Sequence, residues 1–442
     1  MRDLTKGNIY KTFILFAIPM VLSGVLSQCY SVINTILAGK LLGDGALAAI
    51  GAISPLDTFI NSISWGYGTG IGIYTAHLFG AGKFFRMKSV IVSNFFFVTA
   101  VIVLMCGMLL LFRGSIYTFL NIENAILPEC DRYFMINMVG KAAVLFVFNS
   151  IYVVNAMGDS SFPFLMSVVS TVLNILVSVL SVAMFGMGVE GLALANVLSA
   201  AVVSVLYIVW FCQSFKRLGI GRHKAPLNLK VIKETAHYSI FSMLQQSVMY
   251  FSSLALSPMV NAIGGAASAS YTVTLRIYDV NAAIYQNSAK TLGNYTAQCY
   301  GARQYRLLKK GLVVGFVQNV LFVLPVLLVS VFFARQVAML FYTADAAPVS
   351  VEYTITFLRY CMPFLVCNIV ANLFHHFFRG IGQMTALLVT TVVGSVARIA
   401  ISWLLIGPFG IYGYYVGWVL SWVVDALVGW IIYRFGKWRK II

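Results

Sequence analysis

Residues 74–82 read YTAHLFGAG and residues 295–303 read YTAQCYGAR, a near-copy 221 positions further along. The likeness continues outward from there. GVEGLALANVLS at 188–199 is answered by GIYGYYVGWVLS at 410–421 with an offset of 222, NAMGDSS at 155–161 by RGIGQMT at 379–385 with 224, and GDGALAA at 43–49 by GGAASAS at 264–270 with 221. An almost constant offset over such a distance means one unit written twice. Between the copies lies SFKRLGIGRHKAPLNLKVIKE, 214–234, the longest polar stretch in the chain, which reads as a cytoplasmic linker. Residues 1–213 and 235–442 are the two expected lobes.

Sixty per cent of the 442 residues are apolar and ten per cent are charged, against roughly a quarter charged in soluble domains. Runs long enough to cross a bilayer, about 20 residues each, fall near 13–36, 50–76, 90–112, 133–156, 162–184, 191–213, 236–262, 268–297, 311–333, 353–377, 383–406 and 411–433. The expected fold is therefore an all-α membrane protein of twelve transmembrane helices, six to each lobe. The first run outlasts the roughly 7–15 residues of a signal-peptide core and no small-residue cleavage site follows it, so it reads as a retained span. The seven cysteines are odd in number and nowhere spaced as CxxC, which indicates neither a disulfide framework nor a zinc site.

The net charge of +17 raises the question of nucleic acid, and the placement of the basic residues answers it. Under the twelve-span reading, 21 of the 30 Lys and Arg residues fall on one set of loops and 4 on the opposite set. Positive charge collects on cytoplasmic loops, so both termini are expected inside, in a bacterial inner membrane, with no nucleic-acid partner. Six spans per copy give both copies the same orientation. That is a parallel repeat about an axis along the membrane normal, a geometry in which two lobes rock about a central site to alternate access. Gly66, Gly68, Gly70 and Gly72 in GYGTGIG form two interleaved GxxxG pairs, read as close helix contacts. A phosphate cradle would need a following GK[ST], which is lacking.

LTKGN at 4–8, FAIPMVLSGVLSQCYSVINTILAGKLLG at 16–43, YTAHLFGAGK at 74–83, FFRGIG at 377–382 and GIYGYYVGWVLS at 410–421 resemble the multidrug and toxic compound extrusion (MATE) family over essentially the whole chain. The resemblance implies twelve helices in two lobes and export of organic, often cationic, compounds in exchange for protons or sodium. It also points to departures. Where many members carry acids in the first, fifth and tenth helices, this sequence has Asn34, Ser178 (with Asn174 one turn before it) and Asn368. An amide does not titrate, so a coupling proton must be carried elsewhere, while the amides remain able to bind substrate or line a cavity.

Ionisable groups inside spans default to functional hypotheses. Asp57, Asp279 and Asp425 are the acids within apolar runs, and one of them is expected to carry the coupling proton. Arg276 and Asp279 sit three apart and can pair directly, whereas Asp57 and Asp425 have no charged residue at i±3 or i±4. His375 can titrate near neutral pH. With His376 it also lies just before Arg379, where the bland reading is an interfacial position. Lys141, Lys290, Arg359 and Arg398 need partners across helices. Tyr30, Tyr271 and the neighbouring aromatics and methionines, together with Arg276 and Arg398, are candidates for an adaptable substrate cavity.

The expected partners are small organic substrates, a proton or sodium ion, and lipid. The runner-up is a lipid-linked saccharide flippase of related fold, since the five basic residues in the spans outnumber the three acids. The GxxxDRxGRR loop of the major facilitators is missing from GAGKFFRMKS. No GxSxG, HExxH or Walker sequence occurs, so neither an enzyme, a nucleotide nor a cofactor is expected.

Overall fold

The computed structural model describes residues 1–120, 122, 124–221, 223, 225, 227–342 and 347–436. Its elements are helices: α1 (Ile9–Leu42), α2 (Asp44–Gly80), α3 (Phe84–Leu111), α4 (Arg113–Phe119), α5 (Leu127–Ala156), α6 (Ser161–Ala183), α7 (Val189–Arg217), α8 (Leu229–Ile263), α9 (Gly265–Gly301), α10 (Arg306–Phe332), α11 (Ala334–Met339), α12 (Pro348–Thr356), α13 (Leu365–Gly380), α14 (Met384–Phe409) and α15 (Ile411–Phe435). An all-helical answer suits a bilayer, because each helix satisfies its own backbone N–H and C=O groups where water cannot.

Each of the twelve apolar runs falls in one long helical passage, with α12 and α13 sharing the tenth. Among the described residues, nine passages are both long and apolar enough to span a membrane. The other three, α2, α8 and α9, are 37, 35 and 37 residues long, ample for a hydrocarbon core of about 30 Å at 1.5 Å per residue. They are less apolar because their polar side chains turn inward. On α9, Asn281, Ser288, Thr291, Asn294 and Gln298 are all buried.

The tenth passage is broken. After α12 the chain runs through a π-helical turn, Phe357–Cys361, and a 3-10 turn, Met362–Phe364, before α13 begins. Pro363 explains both: it lacks an N–H, and its ring would clash with the carbonyl four residues back, at Arg359.

By contact the chain forms two compact units. Unit 1 comprises Met1–Asp3 and Leu26–Met243, and unit 2 comprises Leu4–Val25 and Leu244–Ile442. This division differs from the lobes drawn by sequence similarity. Residues 4–25 belong with unit 2, and the linker with the first part of α8 belongs with unit 1, because similarity follows ancestry and packing follows contact.

Unit 1 is built on Ile53, Ile60, Met87, Val90, Phe134, Leu145, Val153 and Tyr207, drawn from α2, α3, α5 and α7. The glycine ladder of α2 does what its spacing promised. A Cβ on Gly66 or Gly70 would lie 2.6 Å from Met243 Cα or 2.4 Å from Ser239 Cα of α8, and one on Gly68 or Gly72 would meet Asn149 or Tyr152 of α5. Two GxxxG faces thus seat two different helices.

The linker is strapped to α3. Lys88 Nζ donates to the carbonyls of Ile220, Gly221 and His223 at 3.0, 3.2 and 2.7 Å. Arg86 pairs with Glu234 at 2.6 Å, and Tyr74 adds a hydroxyl donor at 2.9 Å. The Arg86 guanidinium holds the Glu234 carboxyl below the usual glutamate range. Arg222, Lys224 and Pro226 of the linker lie outside the described residues.

Unit 2 centres on Tyr285, Tyr295, Phe357, Phe377, Phe378, Tyr414 and Tyr415, all buried. The first part of α1 joins it through Phe13, whose ring meets Tyr295 edge-on at 4.8 Å.

Candidate functional site

Two polar clusters sit within helix interiors in unit 1. In the first, Tyr30 of α1 donates to Asn196 Oδ1 of α7 at 3.0 Å, and Asn174 of α6 donates to the same oxygen at 3.3 Å. Ser178, one turn along α6, donates to Asn174 Oδ1 at 3.5 Å. Asn34, one turn along α1, is close enough to interact with the Tyr30 hydroxyl. The expected residues Tyr30, Asn34, Asn174 and Ser178 are thus brought together, and Asn196 completes the set. This cluster holds no formal charge.

The second cluster in unit 1 answers the question of Asp57. Its Oδ1 accepts from Lys141 Nζ of α5, and its Oδ2 from Asn61 Nδ2 at 3.0 Å. The Lys141 side chain is 4% exposed and that of Asp57 is 34%. A buried ammonium is costly without a counter-charge, and Asp57 supplies it. The pair joins α2 to α5 across 84 residues of sequence.

In unit 2, Asn368 near the start of α13 donates to the hydroxyls of Tyr278 at 3.0 Å and Tyr285 at 2.9 Å, which are themselves 2.7 Å apart. Tyr278 stacks on Trp422 and lies against Trp418. Tyr271 meets Tyr414 edge-on at 5.3 Å. Arg398 of α14 donates to Ser253 Oγ of α8 at 3.1 Å and to the Tyr414 hydroxyl at 2.8 Å. Its guanidinium lies 4.9 Å from the Trp418 ring centre. Among the described residues no carboxylate pairs with it. Aromatic faces and neutral oxygens take the place of a counter-ion.

Arg276 and Asp279 do not form the direct pair their spacing allows. Arg276 is exposed on α9, and it acts on the half-buried Asp279 from beyond ion-pair distance. Three residues apart permits a contact but does not compel it, and the arginine turns outward.

Both histidines are buried within the protein, His375 at 4% and His376 at 8% exposure. They diverge: His375 Nε2 lies 3.0 Å from Asp425 Oδ1 of α15, while His376 Nδ1 faces Arg379 Nη1. Arg379 in turn donates to Gln245. Among the described residues no three His, Cys, Asp or Glu side chains converge as a metal site would require.

Sequence reasoning missed Asn196, Tyr285 and Trp418. The repeat held the signal, since the 222-residue offset sets Asn196 opposite Trp418 in otherwise matching segments.

The sequence model of the MatE family matches residues 19–180 and 240–404. Among curated relatives, the chain is 26% identical over 364 residues to the "Probable multidrug resistance protein YoeA" of Bacillus subtilis, covering 77% of this chain and 75% of that protein. It is 21% identical over 408 residues to the "Multidrug export protein MepA" of Staphylococcus aureus, covering 92% and 90%. Among solved structures, the fold is similar to that of a MOP superfamily transporter from Pyrococcus furiosus, described as having a binding pocket of reversed polarity, with a TM-score of 0.90, 22% identity and coverage of 99% and 97%. It is similar too to a mutant of the Vibrio cholerae MATE transporter VcmN, with a TM-score of 0.89, 19% identity and coverage of 96% of each chain.

Proposed function

The chain belongs to the MatE family, and from that premise we propose that it is a secondary active exporter of hydrophobic small organic compounds, cations among them, driven by exchange for protons or sodium ions. On this reading its two lobes alternate access across a bacterial inner membrane, and both chain ends lie in the cytoplasm. The observation that carries it is the repeated trio of helices. α1, α6 and α7 in unit 1, and α8, α14 and α15 in unit 2, each gather polar side chains inside an apolar span. Polar groups in a bilayer are costly and mark substrate or ion pathways. The multidrug names borne by the Bacillus and Staphylococcus relatives support the same substrate class.

Expression in a bacterium stripped of its own pumps tests the proposal. Tolerance to a hydrophobic cation such as tetraphenylphosphonium rises several-fold and its accumulation falls. Unchanged tolerance across a broad panel of hydrophobic compounds, with the protein present in the membrane, sinks the reading in favour of lipid-linked saccharide transport.

A further inference from the structure

We propose that His375 of α13 and Asp425 of α15 together form the proton-carrying element of the transport cycle. The proposal rests on the exporter reading and deepens it. Three observations support it. First, the pair is internal: His375 is 4% exposed, the Asp425 side chain is 16% exposed, and the imidazole Nε2 lies 3.0 Å from the carboxylate. Second, the other ring nitrogen, Nδ1, is buried and among the described residues has no hydrogen-bond partner. A purely structural histidine normally has both nitrogens committed, because an unpaired buried polar atom is costly. In the tautomer that donates from Nε2 to Asp425, Nδ1 carries the lone pair able to accept a proton. Third, α14 approaches the carboxylate through Gly394, where an added Cβ would stand 3.0 Å from Asp425 Cβ and 3.4 Å from its Oδ2. The carboxylate therefore lies in a confined seam between three helices.

The proton balance follows. With a neutral ring donating from Nε2 to an ionised Asp425, the pair carries one negative charge. Taking up one proton, at Nδ1 of the ring or at the carboxylate, makes it neutral overall. Releasing that proton restores the charge. In a low-dielectric interior such a change of one unit is large, and a change of this kind can bias one packing of α13, α14 and α15 over another.

The surrounding charges are few. His376 and Arg379 share α13, and α9 brings Lys290, which acts on His376, and Asp279. Arg398 on α14 is engaged with Ser253 and Tyr414. Arg359 lies in the π turn before α13, and Tyr433 and Arg434 lie beyond Asp425 on α15. α10 carries its charges, Arg306, Lys309 and Lys310, at its first turns. Among the described residues Asp425 is the one carboxylate within ion-pair distance of His375.

The test uses purified full-length protein in liposomes, with tetraphenylphosphonium as the probe. Two rates are compared: uptake driven by an imposed proton gradient, and one-for-one exchange of labelled for unlabelled probe at equal pH. In wild type both are measurable. Asp425→Asn and His375→Gln each lower gradient-driven uptake at least tenfold and keep exchange within threefold, and the pH dependence of the residual uptake flattens. Gradient-driven uptake within threefold of wild type in either variant overturns the proposal. Loss of driven uptake and exchange together overturns it as well, because the pair is then a packing element. A wild type that exchanges probe but ignores a proton gradient refutes the pair's role while leaving export intact. A wild type that does neither refutes the exporter reading itself.

Discussion

The repeat invites a position-by-position comparison of the two units, and the polar interior is where they part. By the 224-residue offset Asn174 of α6 corresponds to Arg398 of α14, and by the 222-residue offset Asn196 of α7 corresponds to Trp418 of α15. The contact between the two helices survives while its chemistry changes. In unit 1 it is an amide–amide hydrogen bond joined by a tyrosine of α1. In unit 2 it is a guanidinium on an indole, anchored to a serine of α8. A second pair of positions inverts the charge. Asp57 of α2, ion-paired to Lys141 of α5, corresponds by the 221-residue offset to Tyr278 of α9, which bonds to the neutral Asn368 of α13. The amide lies about one turn beyond the position equivalent to Lys141. At these two pairs of positions each unit therefore has one charged and one neutral contact, and the two are transposed. A duplicated scaffold fixes where polar groups meet and leaves open what they are.

The sharpest way to break this comparison is at Lys141. Lys141→Ala leaves the Asp57 carboxylate without its counter-charge. Breaking a buried pair costs about 3–5 kcal/mol, and the partial exposure of Asp57 lowers the expected loss to about 2–3 kcal/mol. Tyr278→Phe at the transposed position removes hydrogen bonds between neutral groups and costs about 1 kcal/mol. Equilibrium unfolding in detergent measures both. Equal losses would show that the charge difference has no energetic meaning. A smaller step concerns Arg398. Arg398→Met loses two hydrogen bonds and the stack on Trp418, about 1–2 kcal/mol, whereas Asn174→Leu costs about 1 kcal/mol. If Arg398→Met is neutral while Asn174→Leu is costly, the equivalence of the two contacts fails.

The smallest effect concerns the strap that holds the linker. Unit 1 has Arg86 on Glu234, and the 221-residue offset places Leu307 where an equivalent of Arg86 would stand. The pair is part-exposed, so Glu234→Gln costs less than about 1 kcal/mol. Because Arg86 lowers the folded-state value of the Glu234 carboxyl, its contribution is complete above the ordinary glutamate value of about 4.3 and is lost as pH falls through the lower folded value. Unfolding curves of wild type and Glu234→Gln should converge in acid and separate above about pH 5.

The spans and the duplication were readable because both are written in residue type over long windows. The twelve passages follow from apolar length, even where α9 turns its amides inward. Contacts across helices were not readable to the same degree. Asp57 and Lys141 share no helical spacing, so nothing local announces their meeting. Arg276 and Asp279 do share one, and they ignore it. His375 lies close to Arg379 in sequence, and nothing local announces that α15 presents Asp425 to it. The break at Pro363 was equally silent, since an apolar run gives no sign that its helix opens into a π turn. Asn196 was the legible miss, because it stands opposite Trp418 in aligned segments.

Residues 4–25 belong with unit 2, and this bears on the order of events at the ribosome. The first part of α1 finds its partners late: Met20 meets Thr291, Phe13 meets Tyr295, and the Leu4 amide donates to Gln298. At roughly 5–20 residues per second, on the order of tens of seconds pass between emergence of the first helix and emergence of the segment it docks on. During that interval Phe13, Phe16 and Met20, buried in the finished protein, must face lipid or an insertion factor. The first part of α1 is thus made early and settles late, and unit 2 cannot complete itself before unit 1 has been made.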